Sequence, residues 1–297
     1  MEILITGSTG YVGRHLVPKL IGKGHEVLEI TRNISKSNQL YGDKTKKYQI
    51  SDDQEKFTKE VTQFKPEVVI HLAAYLSAND DYATLQKLLN SNIEFLCRLL
   101  DTLKSTELKL FINTGTFAEY YKGDKVLDPA YLYAATKTAS RSFLDYYSKV
   151  YYFKQATVVP YTIYGGKDSQ KKIIDIIYES IESKELIDLS PGEQVLDFIH
   201  VDDVADFYVQ LVEQHQILPQ KSNFQLGTGK GHSLKQVAAL IEEVSGKKTN
   251  INWGGKPYRP SDVMFAVADE SIKKLELMWD ISYSLEKGII DYLINRI

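Results

Sequence analysis

The sequence predicts an α/β protein built on a doubly wound parallel sheet, with a smaller C-terminal substrate-binding lobe. Three observations carry this. Largely apolar runs alternate with amphipathic stretches through the first half, a glycine-spaced loop joins the first run to the first amphipathic stretch, and the alternation loosens beyond residue 163. Residues 3–6, 27–31, 68–72, 110–114 and 156–160 have the composition of strands buried on both faces. Between them, Val12, Leu16 and Leu20, and later Leu88, Ile93, Leu96 and Leu100, fall at helical spacing. This alternation predicts helices on both faces of a parallel sheet. Such sheets bind ligands beyond the carboxyl ends of their strands.

In the second half, residues 171–184, 202–213, 234–245 and 282–296 read as helices and 194–199 as a strand. At ~150 residues per domain, the 297 residues accommodate two lobes. Residues 1–162, with the glycine-spaced loop near their start, are expected to form a dinucleotide-binding domain, and 163–297 mainly a substrate-binding lobe. The two interleave, because part of 194–230 is expected to return to the first sheet through 194–199 and 224–226. The Lys-rich stretch 35–59 reads as a solvated loop and an exposed helix.

Composition removes several classes. Lys and Arg number 36 against 39 Asp and Glu, a formal charge of −3 with no basic stripe, which argues against a nucleic-acid partner. A single cysteine excludes a disulfide framework and a Cys-rich zinc site. The pattern around it makes Cys97 a buried core thiol. The six histidines lack ligand spacing, so no metal is expected. No signal peptide precedes the first strand, and no apolar run approaches the ~18 residues of a membrane span. The expectation is a soluble, cytoplasmic enzyme with no membrane partner.

Gly7, Gly10 and Gly13 lie between the first strand and the first helix. Glycines at this spacing let the backbone turn sharply and approach a pyrophosphate, which the helix N-terminus then attracts. Glycines also mark ordinary turns, but the strand–loop–helix context makes this a dinucleotide site. An acid at the end of the second strand would bond the adenosine ribose of NAD. Thr31 stands there instead, followed by Arg32 and Asn33. A guanidinium beside a neutral hydroxyl suits a 2′-phosphate, which makes the cofactor NADP(H) in preference to NAD.

Tyr133 and Lys137 are four residues apart and share one helix face. An isolated phenol titrates near ~10, and a neighbouring ammonium is expected to lower that value. The segment before this helix ends in Thr114-Gly115-Thr116 at the sheet's carboxyl edge, where Thr116 can bond a substrate oxygen beside Tyr133.

These residues together resemble the extended short-chain dehydrogenase/reductases of the nucleotide-sugar epimerase/dehydratase group, a Rossmann-type family. The match runs nearly end to end. Gly7, Gly10 and Gly13 fit its phosphate loop, His71-Leu72-Ala73-Ala74 its fourth-strand motif, and Thr116, Tyr133 and Lys137 its catalytic triad. Tyr164-Gly165, the run Asp197 to Asp203, Gln225 to Gly229, and Tyr258-Arg259-Pro260-Ser261-Asp262 fit its later motifs. The resemblance implies cofactor contacts from Thr9, Tyr11, Val12, Thr31, Arg32, Asn33, Asp52, Leu72, Ala73, Ala74, Asn92, Thr114, Tyr133, Lys137, Pro160, Tyr161 and Ile163. It implies substrate contacts from Thr116, Phe117, Tyr133, Thr162, Gln194 and Arg259, the last on a sugar diphosphate, and a homodimer formed through the helices after Asn90 and Tyr133.

Departures narrow the reaction. Leu196 stands where Arg usually precedes Asp-Phe, and Val159 and Thr162 stand where Arg and Asn usually precede Tyr-Gly. The strings around Asn113–Phe117, Leu132–Lys137 and Pro191–Ile199 are similar to the CDP-abequose and CDP-paratose synthases. That likeness implies NADPH-dependent reduction of a 4-keto nucleotide sugar. A 4-epimerase with retained NAD and a non-catalytic NADP sensor are the alternatives. Phe117-Ala118, in place of an Asp-Glu pair, lowers a dehydratase.

Overall fold

The computed structural model describes residues 1–122, 126–166, 171–269 and 277–294. The chain opens with β1 (Glu2–Thr6), α1 (Tyr11–Gly22), β2 (Glu26–Thr31), α2 (Ile34–Tyr41), β3 (Lys46–Gln49), α3 (Gln54–Phe64) and β4 (Val68–His71). It continues through α4 (Tyr82–Leu89), a π-helical turn (Asn90–Glu94), α5 (Phe95–Thr102), β5 (Leu110–Thr114), α6 (Leu132–Tyr151) and β6 (Lys154–Pro160). Then come β7 (Thr162–Tyr164), α7 (Ile173–Ser180), β8 (Ile187–Leu189), β9 (Val195–His200) and α8 (Val201–Glu213). The described chain closes with β10 (Lys221–Leu226), β11 (Gly231–Ser233), α9 (Leu234–Ser245), β12 (Ile251–Trp253), β13 (Phe265–Ala266) and α10 (Leu285–Ile294).

A seven-stranded sheet in the order β10-β6-β5-β4-β1-β2-β3 forms the centre, every pairing parallel. Its inner strands are buried on both faces, as the apolar runs require. One face carries Ile3, Ile5, Ile70 and Ile112 against Leu16 of α1 and Phe207 and Leu211 of α8. The other packs Leu4, Val69 and Phe111 against Phe57, Leu96 and Leu144 of α3, α5 and α6. Strand order reverses between β1 and β4, which opens a crevice at their carboxyl ends.

The stretch 35–59 is not a solvated loop: it supplies α2, the edge strand β3 and the start of α3. Fully buried Glu29 of β2 accepts bonds from Ser37 Oγ (2.7 Å) and Thr45 Oγ1 (2.5 Å), and Tyr48 stacks on Phe57 at 5.6 Å. Only Tyr48 of β3 is buried, while Lys46 and Gln49 face outward, a composition that blunts a sheet edge.

Strand β10 pairs with β6, so 224–226 lie in the main sheet. Residues 194–199 do not. Strand β9 joins β7, β11 and β13 in a separate four-stranded sheet, because its burial is completed by α9 and α10 through Phe198, Val237 and Ile289. Helix α7 is shorter than expected, since Ile181, Glu182 and Ser183 bond three residues back in tightening turns. Residues 295–296 of the expected last helix lie outside the described residues. Cys97 is half-buried and not a core thiol, because Leu96, Leu99 and Leu100 take the inward face of α5.

Asp197 ties the smaller sheet to the main one. Its buried carboxylate accepts Thr228 N–H (2.8 Å), Thr228 Oγ1–H (2.6 Å), Gly229 N–H (2.8 Å) and Ala268 N–H (3.2 Å). Bonds to a charged group contribute ~1.5–3 kcal/mol each, so Asp197→Ala is expected to destabilise the protein by at least ~3 kcal/mol. Urea unfolding checks this, and a loss below ~1 kcal/mol contradicts it.

Candidate active site

At the crevice, Gly7 takes φ +74°, and Gly10 N–H closes the loop on Gly7 O at 3.0 Å. A Cβ on Gly7 would lie 2.7 Å from Ala73 N, so the loop presses directly on the β4 exit. A Cβ on Gly13 would collide with Gly7 O and Ser8 O, which lets α1 begin hard against the loop. Gly10 provides no side-chain cap, leaving the first amides of α1 aimed at the crevice. Tyr41 Oη donates to Ser8 O at 2.7 Å and braces the loop from α2.

A cavity of about 900 Å³ opens here. Gly7, Thr9, Gly10, Thr31, Arg32, Asn33, Asp52, Leu72, Ala73 and Ala74 line it, as do Lys36, Lys87 and Arg98. Thr31 Oγ1 bonds the Asn33 backbone, and Asn33 Oδ1 caps α2 by accepting Lys36 N–H at 2.9 Å. The end of β2 therefore presents Arg32, Lys36 and a helix N-terminus. Glycines that admit no Cβ, a cavity of this size and a cationic rim fit a dinucleotide. Tyr11, Val12, Gly13, Asn92, Thr114, Tyr133, Lys137, Pro160, Tyr161 and Ile163 lie outside the lining of this cavity.

Helix α6, which carries Tyr133 and Lys137, packs on the turn Phe117–Glu119 that Thr116 caps. Thr116 Oγ1 accepts Ala118 N–H at 3.3 Å, so its own hydrogen remains to be donated. Lys137 is 2% exposed, and burial lowers its pKa to about 8. Glu119 raises that value and Arg141 lowers it. The phenol of Tyr133 moves opposite to the sequence expectation. Burial pushes it well above its usual value, and Tyr131, Glu119 and Tyr208 add to the rise. Burial is the largest influence on this phenol, and the Lys137 ammonium is not among the charges that act on it.

The π-helical turn carries fully buried Asn92, whose Oδ1 accepts Tyr75 N–H (2.8 Å) while Nδ2 donates to Tyr75 O (3.1 Å) and Thr136 Oγ1 (3.0 Å). Thr136 Oγ1 donates in turn to Tyr133 O at 2.8 Å, so the turn is bolted to the helix bearing Tyr133. Thr114 Oγ1 meets Tyr208 Oη of α8 at 2.6 Å.

On the other side of Thr116, Phe117 stacks on Tyr161 at 5.8 Å. Tyr161 Oη reaches Gln225 Oε1 at 3.1 Å. Thr162 Oγ1 and Gln194 Oε1 are buried without a bonding partner. Gln194 Nε2 donates to Ser190 Oγ at 3.3 Å. Arg259 is exposed on a turn whose Pro260 O accepts from Tyr121 Oη at 2.8 Å, close in sequence to the Thr116 turn. Among the described residues, no group of three or more His, Cys, Asp or Glu is arranged to hold a metal ion, and no helix is long and apolar enough to cross a membrane.

Sequence reading missed Lys36, Tyr208, Glu119 and Arg141. For Glu119 a signal existed: Thr-x-x-Glu at residues 116–119 is a capping-box pattern. Arg141 lies one helical turn beyond Lys137.

The sequence pattern of the NAD dependent epimerase/dehydratase family matches residues 3–227. The chain is 32% identical over 267 residues to a CDP-abequose synthase of Yersinia pseudotuberculosis, covering 89% of this chain and 91% of that protein. It is 27% identical to a CDP-abequose synthase of Salmonella typhimurium, over 98% of this chain and 97% of that protein. Among solved structures, UDP-glucose 4-epimerase of Thermotoga maritima with UDP-glucose superposes with a TM-score of 0.86 at 25% identity, covering 99% of this chain and 98% of that one. The combined sequence and structural match settles membership: the chain belongs to the NAD dependent epimerase/dehydratase family.

Proposed function

We infer that this protein reduces the 4-keto group of a nucleotide-linked deoxysugar with NADPH, a CDP-sugar being the favoured substrate. The observation that carries the cofactor choice is the end of β2. The Thr31 hydroxyl is turned to the Asn33 backbone, while Arg32 and Lys36 line the cavity beside the N-terminus of α2. That arrangement attracts a phosphate monoester. The CDP-sugar comes from the similarity to CDP-abequose synthases.

When bound, the nicotinamide supplies the hydride. The chain's own groups do the rest. Thr116 donates its hydroxyl hydrogen to the carbonyl oxygen, Tyr133 delivers the proton, and Lys137 holds the nicotinamide ribose. A phenol whose pKa is raised keeps its proton at neutral pH, the form a reductase needs at the start of turnover. Phe117, Thr162, Gln194 and Arg259 form the sugar-nucleotide side. A homodimer belongs to the same reading, supported by Phe143, Tyr146 and Val150, exposed at helical spacing along α6, and Leu89 at the end of α4.

The test is spectrophotometric. Steady NADPH consumption with a CDP-4-keto-deoxysugar, one equivalent per hydroxyl formed, is the expected result. Interconversion of two sugars without net cofactor consumption would assign an epimerase instead. Tight NADP(H) binding with no turnover on either substrate class would assign a sensor.

A further inference from the structure

Glu119 is more than a cap on a short turn. Its fully buried carboxylate accepts Thr116 N–H at 2.8 Å and is gripped by Arg141 through Nε (2.7 Å) and Nη2 (3.1 Å). Thr138 Oγ1 adds a bond at 3.3 Å, and Arg141 Nη1 continues to Asn223 Oδ1 of β10 at 3.1 Å. A neutral glutamine would cap the turn equally well. Burying a charged pair costs desolvation that capping alone does not require. The chain also gives up a side chain to admit this carboxylate, since a Cβ on Gly115 would lie 2.5 Å from Glu119 Oε1. The pair joins the Thr116 backbone to the helix that carries Tyr133 and Lys137.

We propose that Glu119, clamped by Arg141, is a positioning residue that holds the Thr116 hydroxyl as a donor to the substrate carbonyl. The inference rests on the ketoreductase reading of Thr116. The geometry has two parts. Glu119 fixes the Thr116 backbone from its N–H side while Ala118 N–H occupies one of the hydroxyl's two lone pairs, which leaves its hydrogen to be donated. Arg141 is anchored on the same helix as Tyr133 and Lys137, so the clamp sets the Thr116 turn against that helix. The groups facing Tyr133 are Tyr131, Glu119 and Tyr208, and those facing Lys137 are Glu119, Arg141 and His71. The carboxylate raises the pKa of both Tyr133 and Lys137.

A double-mutant cycle tests the proposal with NADPH and a CDP-4-keto-deoxysugar. Thr116→Ala, which removes a donor to the developing oxyanion, is expected to lower kcat about 100-fold. Glu119→Gln is expected to lower kcat about tenfold with KM for NADPH within about twofold, since the loss falls on the chemical step. A residue acting through Thr116 loses its effect once that hydroxyl is gone, so the double variant should match Thr116→Ala within about threefold. In Glu119→Gln the alkaline limb of kcat/KM should also move to lower pH. Because this variant leaves Arg141 buried and unpaired, the cycle is repeated with Glu119→Gln/Arg141→Met, which removes both charges and is tolerated in buried pairs. Thermal melting confirms folding in each case. Multiplying effects in the cycle, or an unchanged kcat in both Glu119 variants, overturns the inference while leaving the reductase reading intact. A folded wild type with no turnover on any keto or hydroxy nucleotide sugar overturns the proposed function, and this inference with it.

Discussion

Replacing Tyr133 by phenylalanine is expected to lower kcat at least ~100-fold, the usual contribution of a positioned acid, with KM for NADPH little changed. The phenylalanine ring keeps the stack that Tyr133 makes with Tyr131 at 6.1 Å, and it keeps the Tyr133 backbone bond to Thr136, so only the hydroxyl is lost. Retained turnover would remove Tyr133 from the reaction. The pH profile adds a second check with a definite sign. Reduction needs Tyr133 protonated, and burial raises its pKa, so that group stays in its working form well above neutrality. Lys137 is different, because burial lowers its ammonium to about 8. Its charge is present below that pH and lost above it, so kcat/KM should bend downward near pH 8 on the alkaline side. A profile flat to pH 10 (about two units beyond that bend) would mean that the lysine charge does not take part.

The second large effect concerns the cofactor. Arg32→Ala is expected to raise KM for NADPH by roughly 10- to 100-fold and leave KM for NADH nearly unchanged, the loss of one charge-assisted contact to a phosphate. Initial rates with both cofactors measure it directly. Thr31 and Asn33 hold each other and the start of α2 without help from the Arg32 side chain, so the substitution should not disturb the pocket wall. Equal losses with both cofactors would show that Arg32 supports the pocket in general and reads no 2′-phosphate.

The parts of this molecule that are legible in its sequence share a physical property. Strands β1, β4, β5 and β6 are buried on both faces, so their apolar runs stand out without any partner being known. Strand β3 was hidden because an edge strand needs only one inward residue, Tyr48, and is protected by the same lysines that make it resemble a loop. The run containing β9 has the composition of a strand, but apolar composition reports burial and not the neighbour that provides it, so the sheet it joins is not encoded locally. At the site, the glycine loop and the Tyr133–Lys137 spacing were visible because their chemistry depends on short-range sequence. The Glu119–Arg141 pair joins residues that meet only after α6 has packed on the Thr116 turn. The direction of the Tyr133 shift likewise depends on a surrounding apolar layer that no local pattern encodes.

The position of β10 has a consequence for how the chain reaches this structure during synthesis. The outermost parallel strand beside β6 is supplied by residues 221–226, and one face of the sheet is covered by Phe207 and Leu211 from residues 201–213. A nascent chain that has emerged only to the end of β6 therefore exposes an open, hydrogen-bonding strand edge and a bare apolar face. Both are sites for mispairing with another chain. The sheet cannot be completed while the rest is still being made, so truncation near residue 160 is expected to leave an aggregation-prone fragment.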